Sequence, residues 1–393
     1  MVLAAGALTA CGGGGGAAQD SGATAGTTTT RFSAAAMLGE KIFVDTSLSA
    51  SGRQACASCH VPQAAHGADN ARPVQPGGST LELEGQRSSP SLRYLAFTPP
   101  FQIGAEGRPS GGFFWDGRAA TLQQQAGEPL LGRTEMANES AAALAARLAR
   151  TAYAAEFKAL YGADILQRPD DLFARITLAL AQYQREDPEF RPFSSKFDAV
   201  LRGEASLAPQ ESRGLALFNR ADKGNCAACH PSGRRADGGP PLFTDFSYDN
   251  IGVPRNAVLV ANADPARFDL GLCDRSDLAA RTDLCGAFRV PTLRNVAQRR
   301  SFFHNGRFAT LKEALSSFYV QRDTNPERWY PRRADGSVER YDDTPAAWRA
   351  NVNTREAPFN RQPGDAPALS DAEIDELIAF LHTLSDGWRP AAP

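Results

Sequence analysis

Two Cys-x-x-Cys-His motifs constrain this chain more than any other feature of its sequence. The first provides Cys56, Cys59 and His60, and the second provides Cys226, Cys229 and His230. In such a motif the two thiols lie one helical turn apart, where they can form thioethers with the vinyl groups of a haem, and the adjacent histidine becomes an axial ligand of the iron. The chain is therefore expected to carry two covalently bound haem c groups, with His60 and His230 as iron ligands.

Two other uses of paired cysteines fit the sequence less well. A zinc ribbon holds its CxxC pairs about 15 to 20 residues apart, whereas these pairs are separated by well over a hundred residues. A thioredoxin-like motif needs no histidine after the second cysteine. Because the chain has only 5 histidines, a histidine directly after both pairs is not expected by chance. Haem attachment is the favoured interpretation.

The surroundings of the two motifs indicate a duplicated unit. Gly39-Glu40-Lys41-Ile42-Phe43 precedes the first and Gly214-Leu215-Ala216-Leu217-Phe218 precedes the second, each at the start of a short apolar helix. A chain of 393 residues also exceeds the size at which single cores stop growing. We predict a mainly α protein with two cytochrome c-type haem domains and long irregular loops. The N-terminal domain covers residues 31–205 and the C-terminal domain residues 206–393, divided within the polar, proline-containing stretch 186–209.

Apolar residues at helical spacing predict three further helices. The first covers residues 140–160 and the second residues 170–185. The third begins at Ser370, which can form a capping box with Glu373. Its His382 is expected at the helix surface and not at a metal. The residues expected on its buried face are Ile374, Leu377, Ile378 and Leu381.

Residues 1–30 are expected to be a lipoprotein-like signal and a flexible tether. The apolar start ends in Leu8-Thr9-Ala10-Cys11, which resembles a bacterial lipoprotein signal whose cysteine is lipidated after cleavage. The alternative is a trimmed ordinary signal peptide, and no Lys or Arg precedes Arg31 to form its basic region. We expect export to the periplasm, with membrane contact only through a lipid on Cys11.

The charge balance is nearly even, with 42 basic and 44 acidic residues. A nucleic-acid-binding protein usually carries excess positive charge that neutralises phosphates. The composition gives no such indication, so nucleic acid is not an expected partner. A small polar substrate or another protein fits better.

Cys273 and Cys285 remain once Cys11 and the two motifs are set aside. Thiols exposed to an oxidising periplasm pair, so we expect a disulfide between them. Closing a loop this short stabilises the fold by roughly 3 kcal/mol. Two free thiols are the alternative.

Several sequence blocks resemble the bacterial di-haem cytochrome c peroxidase family, including its MauG-type branch that modifies other proteins. The resemblance runs from about Met37 to Leu384. The blocks are Phe114-Trp115-Asp116-Gly117-Arg118-Ala119, the residues Gln125, Pro129 and Glu135-Met136, then Phe243-Thr244-Asp245, Asn250-Ile251-Gly252-Val253-Pro254, Val290-Pro291-Thr292-Leu293-Arg294-Asn295 and His304-Asn305-Gly306.

The resemblance implies roles for four residues. In the family the N-terminal haem meets hydrogen peroxide and the C-terminal haem supplies an electron. Glu135 matches the catalytic glutamate, a proton shuttle if burial raises its pKa. Gln125 matches the amide that helps to bind peroxide or water, and Pro129 matches the residue that shapes the pocket. Trp115 matches the tryptophan between the haems, which relays charge. Taken singly, Gln125 would be interpreted as a surface glutamine, Glu135 as a turn carboxylate and Trp115 as a core tryptophan.

The sixth ligand of the second iron departs from the peroxidase pattern. The methionines are Met1, Met37 and Met136, all upstream of His230, so no methionine is available. The MauG-type branch uses a tyrosine there. Counted from Thr310, the position of the family's tyrosine ligand falls on Phe318, which cannot bind iron. Tyr319 is the next residue along the chain. Tyr319 is the expected ligand if the helix carries one extra residue. His304, or a vacant or water-bound site, is the alternative.

His66 is the one candidate for a distal ligand at the first haem. It lies six residues after His60, too short a tether to pass around the haem edge easily, so we expect it near the haem rim. The iron of the first haem is then expected to have an open coordination position in the protein as isolated.

Calcium is doubtful, although the family binds it between the haems. The matching positions are Ser88, Arg299 and Ser301. Compared with the family's calcium ligands, these positions lack one oxygen ligand and include the cationic side chain of Arg299. Its guanidinium can occupy the same negative pocket as a calcium ion.

The expected activity is that of a peroxidase, an oxidoreductase that reduces hydrogen peroxide with electrons from a small donor such as a cytochrome or a cupredoxin. Two alternatives stay open: MauG-type oxidation of Trp or Tyr side chains on a partner protein, and a plain electron-transfer cytochrome. The polar segment 321–369 is long for a loop, and we expect it to cover the second haem and to shape the surface on which a partner docks.

Overall fold

Helices form most of the regular structure in the computed structural model, which describes residues 32–390. The mainly α class predicted from the sequence is confirmed. The predicted signal and tether of residues 1–30, with the lipidation site Cys11, lie outside the described residues.

The α-helices are, in chain order, α1 (Ala34–Val44), α2 (Cys56–Cys59), α3 (Leu122–Leu131), α4 (Ala141–Leu148), α5 (Ala154–Tyr161), α6 (Pro169–Glu186), α7 (Lys196–Leu201), α8 (Pro209–Phe218) and α9 (Asp371–His382). A π-helix spans Glu313–Tyr319. Short antiparallel ribbons pair β1 (Pro76–Gly77) with β2 (Leu83–Glu84), β3 (Gln102–Ile103) with β4 (Pro109–Ser110), and β5 (Tyr248–Asp249) with β6 (Phe288–Arg289). Turns of 3₁₀ helix cover Thr46–Leu48, Pro62–Ala64, Leu95–Phe97, Ile165–Gln167, Pro188–Phe190, Cys226–Ala228, Val260–Ala263, Leu272–Asp274, Thr282–Leu284, Val296–Gln298, Pro326–Arg328 and Ala346–Asn351.

Each haem motif follows a helix that crosses another helix at a glycine. Helix α1 packs on α6, and a Cβ added at Gly39 would lie 2.1 Å from the carbonyl oxygen of Ala179. Helix α8 packs on α9, and a Cβ added at Gly214 would lie 2.0 Å from the carbonyl oxygen of Glu376. No side chain fits at such distances, so only glycine allows these crossings. The same packing occurs before both motifs, as the duplicated segments predict.

The two large hydrophobic clusters lie in different halves of the chain. One contains residues between Leu38 and Phe190, and the other residues between Phe197 and Leu384. By its contacts, however, the chain from Phe32 onward is a single compact unit. The domain boundary at residues 205/206 therefore stays a prediction.

Two of the three helices predicted from apolar spacing are confirmed. Helix α6 covers residues 170–185. Helix α9 has the predicted capping box, in which Ser370 and Glu373 bond each other's backbone N–H groups at 2.9 and 3.3 Å. His382 is exposed, as expected. Ile374, Leu377 and Leu381 are buried, and Ile378 is half-buried.

The helix predicted over residues 140–160 is wrong as a single helix, because α4 ends at Leu148 and α5 begins at Ala154. The hydroxyl of Thr151 donates to the carbonyl oxygen of Leu148 at 2.9 Å. A side chain that satisfies this carbonyl competes with the next helical hydrogen bond. The helix therefore turns at this point.

The disulfide loop forms a small cluster of its own. The sulfur atoms of Cys273 and Cys285 lie 2.07 Å apart, which is the pairing expected from the leftover cysteines. Leu272, Leu278 and Ala287 pack together beside the bridge. Within residues 32–390, no helix is long and apolar enough to cross a membrane.

Candidate haem sites and the cavity beside them

The first motif begins in helix α2, and His60 follows directly. The backbone N–H of His60 donates to the carbonyl oxygen of Cys56 at 2.9 Å. Its ring Nδ1 lies 3.1 Å from the carbonyl oxygen of His66. Because a carbonyl oxygen only accepts, Nδ1 carries the ring proton, and Nε2 keeps its lone pair for a metal.

The second motif repeats this arrangement on a 3₁₀ turn. The N–H of His230 donates to the carbonyl oxygen of Cys226 at 2.9 Å. Its ring Nδ1 donates to the carbonyl oxygen of Phe243 at 2.8 Å. Nε2 of His230 is therefore also the nitrogen available to iron. Sequence reasoning did not find the two supporting carbonyl groups, because every residue has one and no side chain marks those that are used.

The donor sets fit two covalently attached haems. The four motif cysteines are free thiols. Burial lowers the pKa of His60 to about 4 and also lowers that of His230. Both imidazoles are thus neutral near pH 7, which is the form that binds iron. A largely apolar cavity of about 250 Å³ opens beside Cys226, Cys229 and His230, as an apolar macrocycle requires.

His66 lies behind His60, on the side of the ring nitrogen that carries the proton, and its position relative to a haem edge stays a prediction. Its carbonyl oxygen supports the ring nitrogen of His60 that points away from a metal. Its own ring is fully buried and lies 4.1 Å from the ring of Phe190 and 5.9 Å from that of Phe43, centroid to centroid. Its six-residue tether leaves it on the same side of the site as the proximal ligand.

Glu135 lies on a tight turn that folds back beside the first motif. Its N–H donates to the carbonyl oxygen of Gly132 at 2.9 Å, and its carbonyl oxygen accepts from Gly78 at 2.8 Å. Burial raises the pKa of the Cys56 and Cys59 thiols, and the nearby Glu135 carboxylate raises both further. Glu135 is exposed as a residue, and the protein atoms around its carboxyl group raise its pKa by desolvation.

Gln125 and Pro129 belong to helix α3, directly before this turn. Gln125 is buried, with 9% of its surface exposed. Pro129 lies inside the helix and has no N–H to donate, so the carbonyl group of Gln125 lacks its usual helical partner. Among the described residues no hydrogen bond joins the Gln125 side chain to Glu135 or to His60.

Trp115 lines the large cavity together with His230. Its indole Nε1 donates to the carbonyl oxygen of Ser88 at 2.8 Å. The walls of this cavity include Ala65 and Pro90 from the N-terminal half as well as residues around the second motif. Trp115 therefore lies on a wall shared by the two halves of the chain.

Arg299 occupies the position matched to the family's calcium site. Its guanidinium donates to the hydroxyl of Ser88 at 3.1 Å and to the carbonyl oxygens of Ser89 and Ser301, each at 3.2 Å. Burial lowers the pKa of Arg299 to about 10, which leaves it charged. Its positive charge also contributes to the lowered pKa of His60. A cation is thus built into the chain at these oxygen atoms.

Tyr319 reaches the second site because the helix before it is a π-helix. A π-turn contains one more residue than an α-turn, which accounts for the extra residue in the spacing from Thr310. The phenol hydroxyl of Tyr319 donates to the carbonyl oxygen of Gly224 at 3.1 Å, and Tyr319 and His230 line the same cavity. Phe318, at the position given by strict spacing, is fully buried and stacks on Phe308.

His304 also lines this cavity, but it is held differently. Its ring lies flat on Phe288, with centroids 3.6 Å apart. Its Nε2 has no hydrogen-bond partner among the described residues and lies 3.9 Å from a carboxylate oxygen of Asp343. Stacking and the nearby carboxylate both restrict the direction in which this ring points.

Part of segment 321–369 forms one wall of the cavity, through Asp343, Thr344, Asn353, Glu356, Ala357 and Phe359. Arg322 anchors the segment, because its buried guanidinium donates to the carbonyl oxygens of Ile251 at 2.9 Å and Asn353 at 2.7 Å. The segment lies over the second site, as expected from its length and composition.

The chain is similar to known proteins over most of its length. Residues 33–206 match the family model described as di-haem cytochrome c peroxidase. The sequence is 37% identical over 361 residues to the methylamine utilization protein MauG of Paracoccus denitrificans, covering 90% of this chain and 89% of that protein. It is 28% identical to cytochrome c551 peroxidase of Nitrosomonas europaea, covering 72% of each. The crystal structure of the diheme peroxidase BthA from Burkholderia thailandensis matches with a TM-score of 0.83 and 42% identity, covering 91% of this chain and 87% of that one.

Proposed function

Since the chain belongs to the di-haem cytochrome c peroxidase family, which includes MauG, we propose that it reduces hydrogen peroxide to water at the first haem. Each peroxide takes up two electrons and two protons and yields two water molecules. The electrons come from a small periplasmic donor protein, a cytochrome c or a cupredoxin. The chain is an oxidoreductase with two covalently bound c-type haems, and these supply the redox-active iron.

The observation that carries this proposal is the carboxyl group of Glu135 beside Cys56 and Cys59. Breaking the O–O bond requires a proton to move from one peroxide oxygen to the other. A carboxyl group whose pKa is raised by desolvation returns a proton it has accepted less readily to solvent than an ordinary glutamate does, which suits a proton shuttle. Glu135 takes the proton from the oxygen nearer the metal and delivers it to the leaving oxygen.

The other matched residues support this step. Gln125 orients the peroxide through its amide, and Pro129 shapes the wall by breaking the regular hydrogen bonding of α3. Trp115 passes charge along the wall shared by the two halves of the chain. Tyr319 is the proposed sixth ligand of the second iron.

Turnover of reduced cytochrome c with hydrogen peroxide tests the proposal. The protein with both haems attached should oxidise the donor in the ratio of two electrons per peroxide. Absence of turnover with cytochrome c and with a reduced cupredoxin would remove the peroxidase assignment. Two six-coordinate, low-spin irons that do not react with peroxide would instead indicate a plain electron-transfer cytochrome.

A second candidate is MauG-type oxidation of Trp or Tyr side chains on a partner protein. Tyr319 beside the second motif favours it, together with the 37% identity to a MauG protein. Mixing the peroxide-treated enzyme with candidate proteins and searching for oxidised or cross-linked side chains by mass spectrometry distinguishes this activity from peroxidase turnover.

The site of action is proposed to be the periplasm, with a lipid on Cys11 as the anchor. Covalent haem attachment and a disulfide between Cys273 and Cys285 both suit an oxidising compartment. Fractionation of cells and mass spectrometry of the mature N-terminus test this location.

A further inference from the structure

A second aromatic residue on the cavity wall has the surroundings of a redox site. Tyr94 lines the same cavity as Trp115 and Tyr319, and only 3% of its surface is exposed. It comes from the N-terminal half, in a left-handed conformation with φ of 66°. No role has yet been assigned to it.

The hydroxyl of Tyr94 donates to a carboxylate oxygen of Asp386 at 2.7 Å. The Asp386 side chain is itself buried, with 1% exposed. Its other oxygen accepts from Asn295 at 2.6 Å and pairs with Arg93 at 3.3 Å. The backbone N–H of Ser194 donates to the first oxygen at 3.2 Å. The carboxylate is therefore fixed in place as the acceptor of the phenolic proton.

The charges around the phenol make proton loss a necessary part of its oxidation. The guanidinium carbon of Arg294 lies 4.9 Å from the centre of the Tyr94 ring. A tyrosine that lost only an electron would be a cation inside the protein, beside a guanidinium whose own charge is already paired with Asp198 at 2.9 Å, and burying a further charge is costly. If the proton moves to Asp386 at the same time, the ring stays neutral.

On this basis we propose that Tyr94 is a proton-coupled redox site that holds one oxidising equivalent of the peroxide-treated enzyme. The inference rests on the proposed function, because hydrogen peroxide is the oxidant. Tyr94 loses one electron to the oxidised haem pair, and its phenolic proton moves to Asp386. The products are a neutral tyrosyl radical and a neutral carboxylic acid. An electron from the donor reverses both changes.

The other tyrosines lack the position on the cavity wall, the carboxylate partner, or both. Tyr319 lines the cavity, but its hydroxyl bonds a backbone carbonyl, which does not take up a proton. Tyr330 is as buried as Tyr94, at 3%, and bonds the carbonyl oxygen of Gly252. Tyr153 bonds the carboxylate of Asp45 at 2.6 Å, but it lies outside the residues that line the cavity. Among the tyrosines that line this cavity, Tyr94 is thus the one with a carboxylate partner.

Electron paramagnetic resonance of the full, haem-loaded protein tests the proposal. The protein is mixed with hydrogen peroxide without donor and frozen, with either ordinary or ring-deuterated tyrosine incorporated. We expect a radical signal that narrows on deuteration in the unmodified protein and in the control Tyr330→Phe. The Tyr94→Phe variant should lose this tyrosine component while its haems are still oxidised by peroxide. If Tyr94→Phe does not fold, a ring-fluorinated tyrosine at position 94 keeps the hydroxyl and should change the hyperfine splitting.

Two results would overturn the proposal. One is a tyrosine signal of full strength in Tyr94→Phe, and the other is its loss in Tyr153→Phe alone. A failure of the proposed function looks different, because the optical spectra of the haems would then not respond to peroxide in any variant. In that case a one-electron photo-oxidant would replace peroxide as the oxidant. Loss of the tyrosine signal in Tyr94→Phe would then support the proposal, and persistence of the signal would overturn it.

Discussion

The phenol hydroxyl of Tyr319 donates to the carbonyl oxygen of Gly224 at 3.1 Å, two residues before Cys226. This contact ties the end of the π-helix to the start of the second haem motif. The phenol group thus lies beside the proposed ligand His230, in a cavity that both residues line. The proposed sixth ligand of the second iron, Tyr319, can therefore be tested by substitution.

We expect Tyr319→Phe to convert the second haem to a high-spin spectrum and Tyr319→Met to keep it six-coordinate. A methionine ligand stabilises the reduced iron relative to a phenolate, so the reduction potential of Tyr319→Met should rise by on the order of 0.1 V or more. Optical spectra and spectroelectrochemistry measure both effects. Tyr330→Phe, a hydroxyl loss in the same half of the chain, should leave them unchanged. If His304→Ala alters the second haem and Tyr319→Phe does not, His304 is the ligand.

Removal of the Glu135 carboxylate should slow peroxide turnover by roughly 10²- to 10⁴-fold, the usual contribution of a positioned proton shuttle. Glu135→Gln keeps the size of the side chain and removes its ability to transfer a proton. Steady-state oxidation of reduced cytochrome c measures the effect on kcat. The matched control is Glu128→Gln, an exposed glutamate on α3 that pairs with Arg118 at 2.7 Å. Full turnover in Glu135→Gln would exclude this residue from the mechanism.

The pH dependence of turnover should have an acidic limb set by the same carboxyl group. Burial raises the pKa of Glu135 above the ordinary glutamate value. The carboxylate must be ionised to accept the first proton, so activity is lost as the pH falls through this raised pKa and is recovered above it. In Glu135→Gln the residual activity should lack this limb. Rates collected from pH 4 to pH 8 in buffers of constant ionic strength, roughly spanning the glutamate range, provide the comparison.

Calcium chelation should leave the unmodified enzyme unchanged, because Arg299 already satisfies Ser88, Ser89 and Ser301. We expect Arg299→Ala to lower the free energy of unfolding by about 1–3 kcal/mol per buried acceptor left without a donor. Urea unfolding of both proteins, with and without a chelator, tests the effect of chelation and the effect of Arg299→Ala. Arg300→Ala, at the exposed neighbouring position, is the control and should have little effect. A loss of turnover or of spectral features on chelation of the unmodified protein would show that a metal is still required.

The two helix crossings should tolerate no side chain at their glycines. Gly39→Ala and Gly214→Ala place a Cβ against a backbone oxygen, and we expect each to cost about 1–3 kcal/mol of stability as the helices move apart. Gly233→Ala is the control, because a Cβ there meets no atom within 4 Å. Thermal unfolding followed by circular dichroism ranks the three variants. Equal melting temperatures would show that the crossings are looser than the structure indicates.

Sequence reasoning was most successful where one residue type is required by local chemistry. The duplicated Gly-x-x-x-Phe segments and the capping box of α9 each depend on a few neighbouring residues, and each forms as expected. It was wrong where a single side chain competes with a regular pattern. Thr151 ends α4 inside an otherwise continuous helical pattern, because its hydroxyl bonds the carbonyl oxygen of Leu148.

The sequence by itself determined that this chain attaches two haems, that it is mainly α, and that no methionine follows His230, because these depend on residue identity and short spacing. Only the tertiary structure decided which residues meet across long distances in the chain. It brings Tyr319 next to the second motif through a π-helix, sets Arg299 among Ser88, Ser89 and Ser301, and joins Tyr94 to Asp386. The physical reason is that these contacts follow from how separate segments pack together, and packing depends on the shapes of all the segments at once.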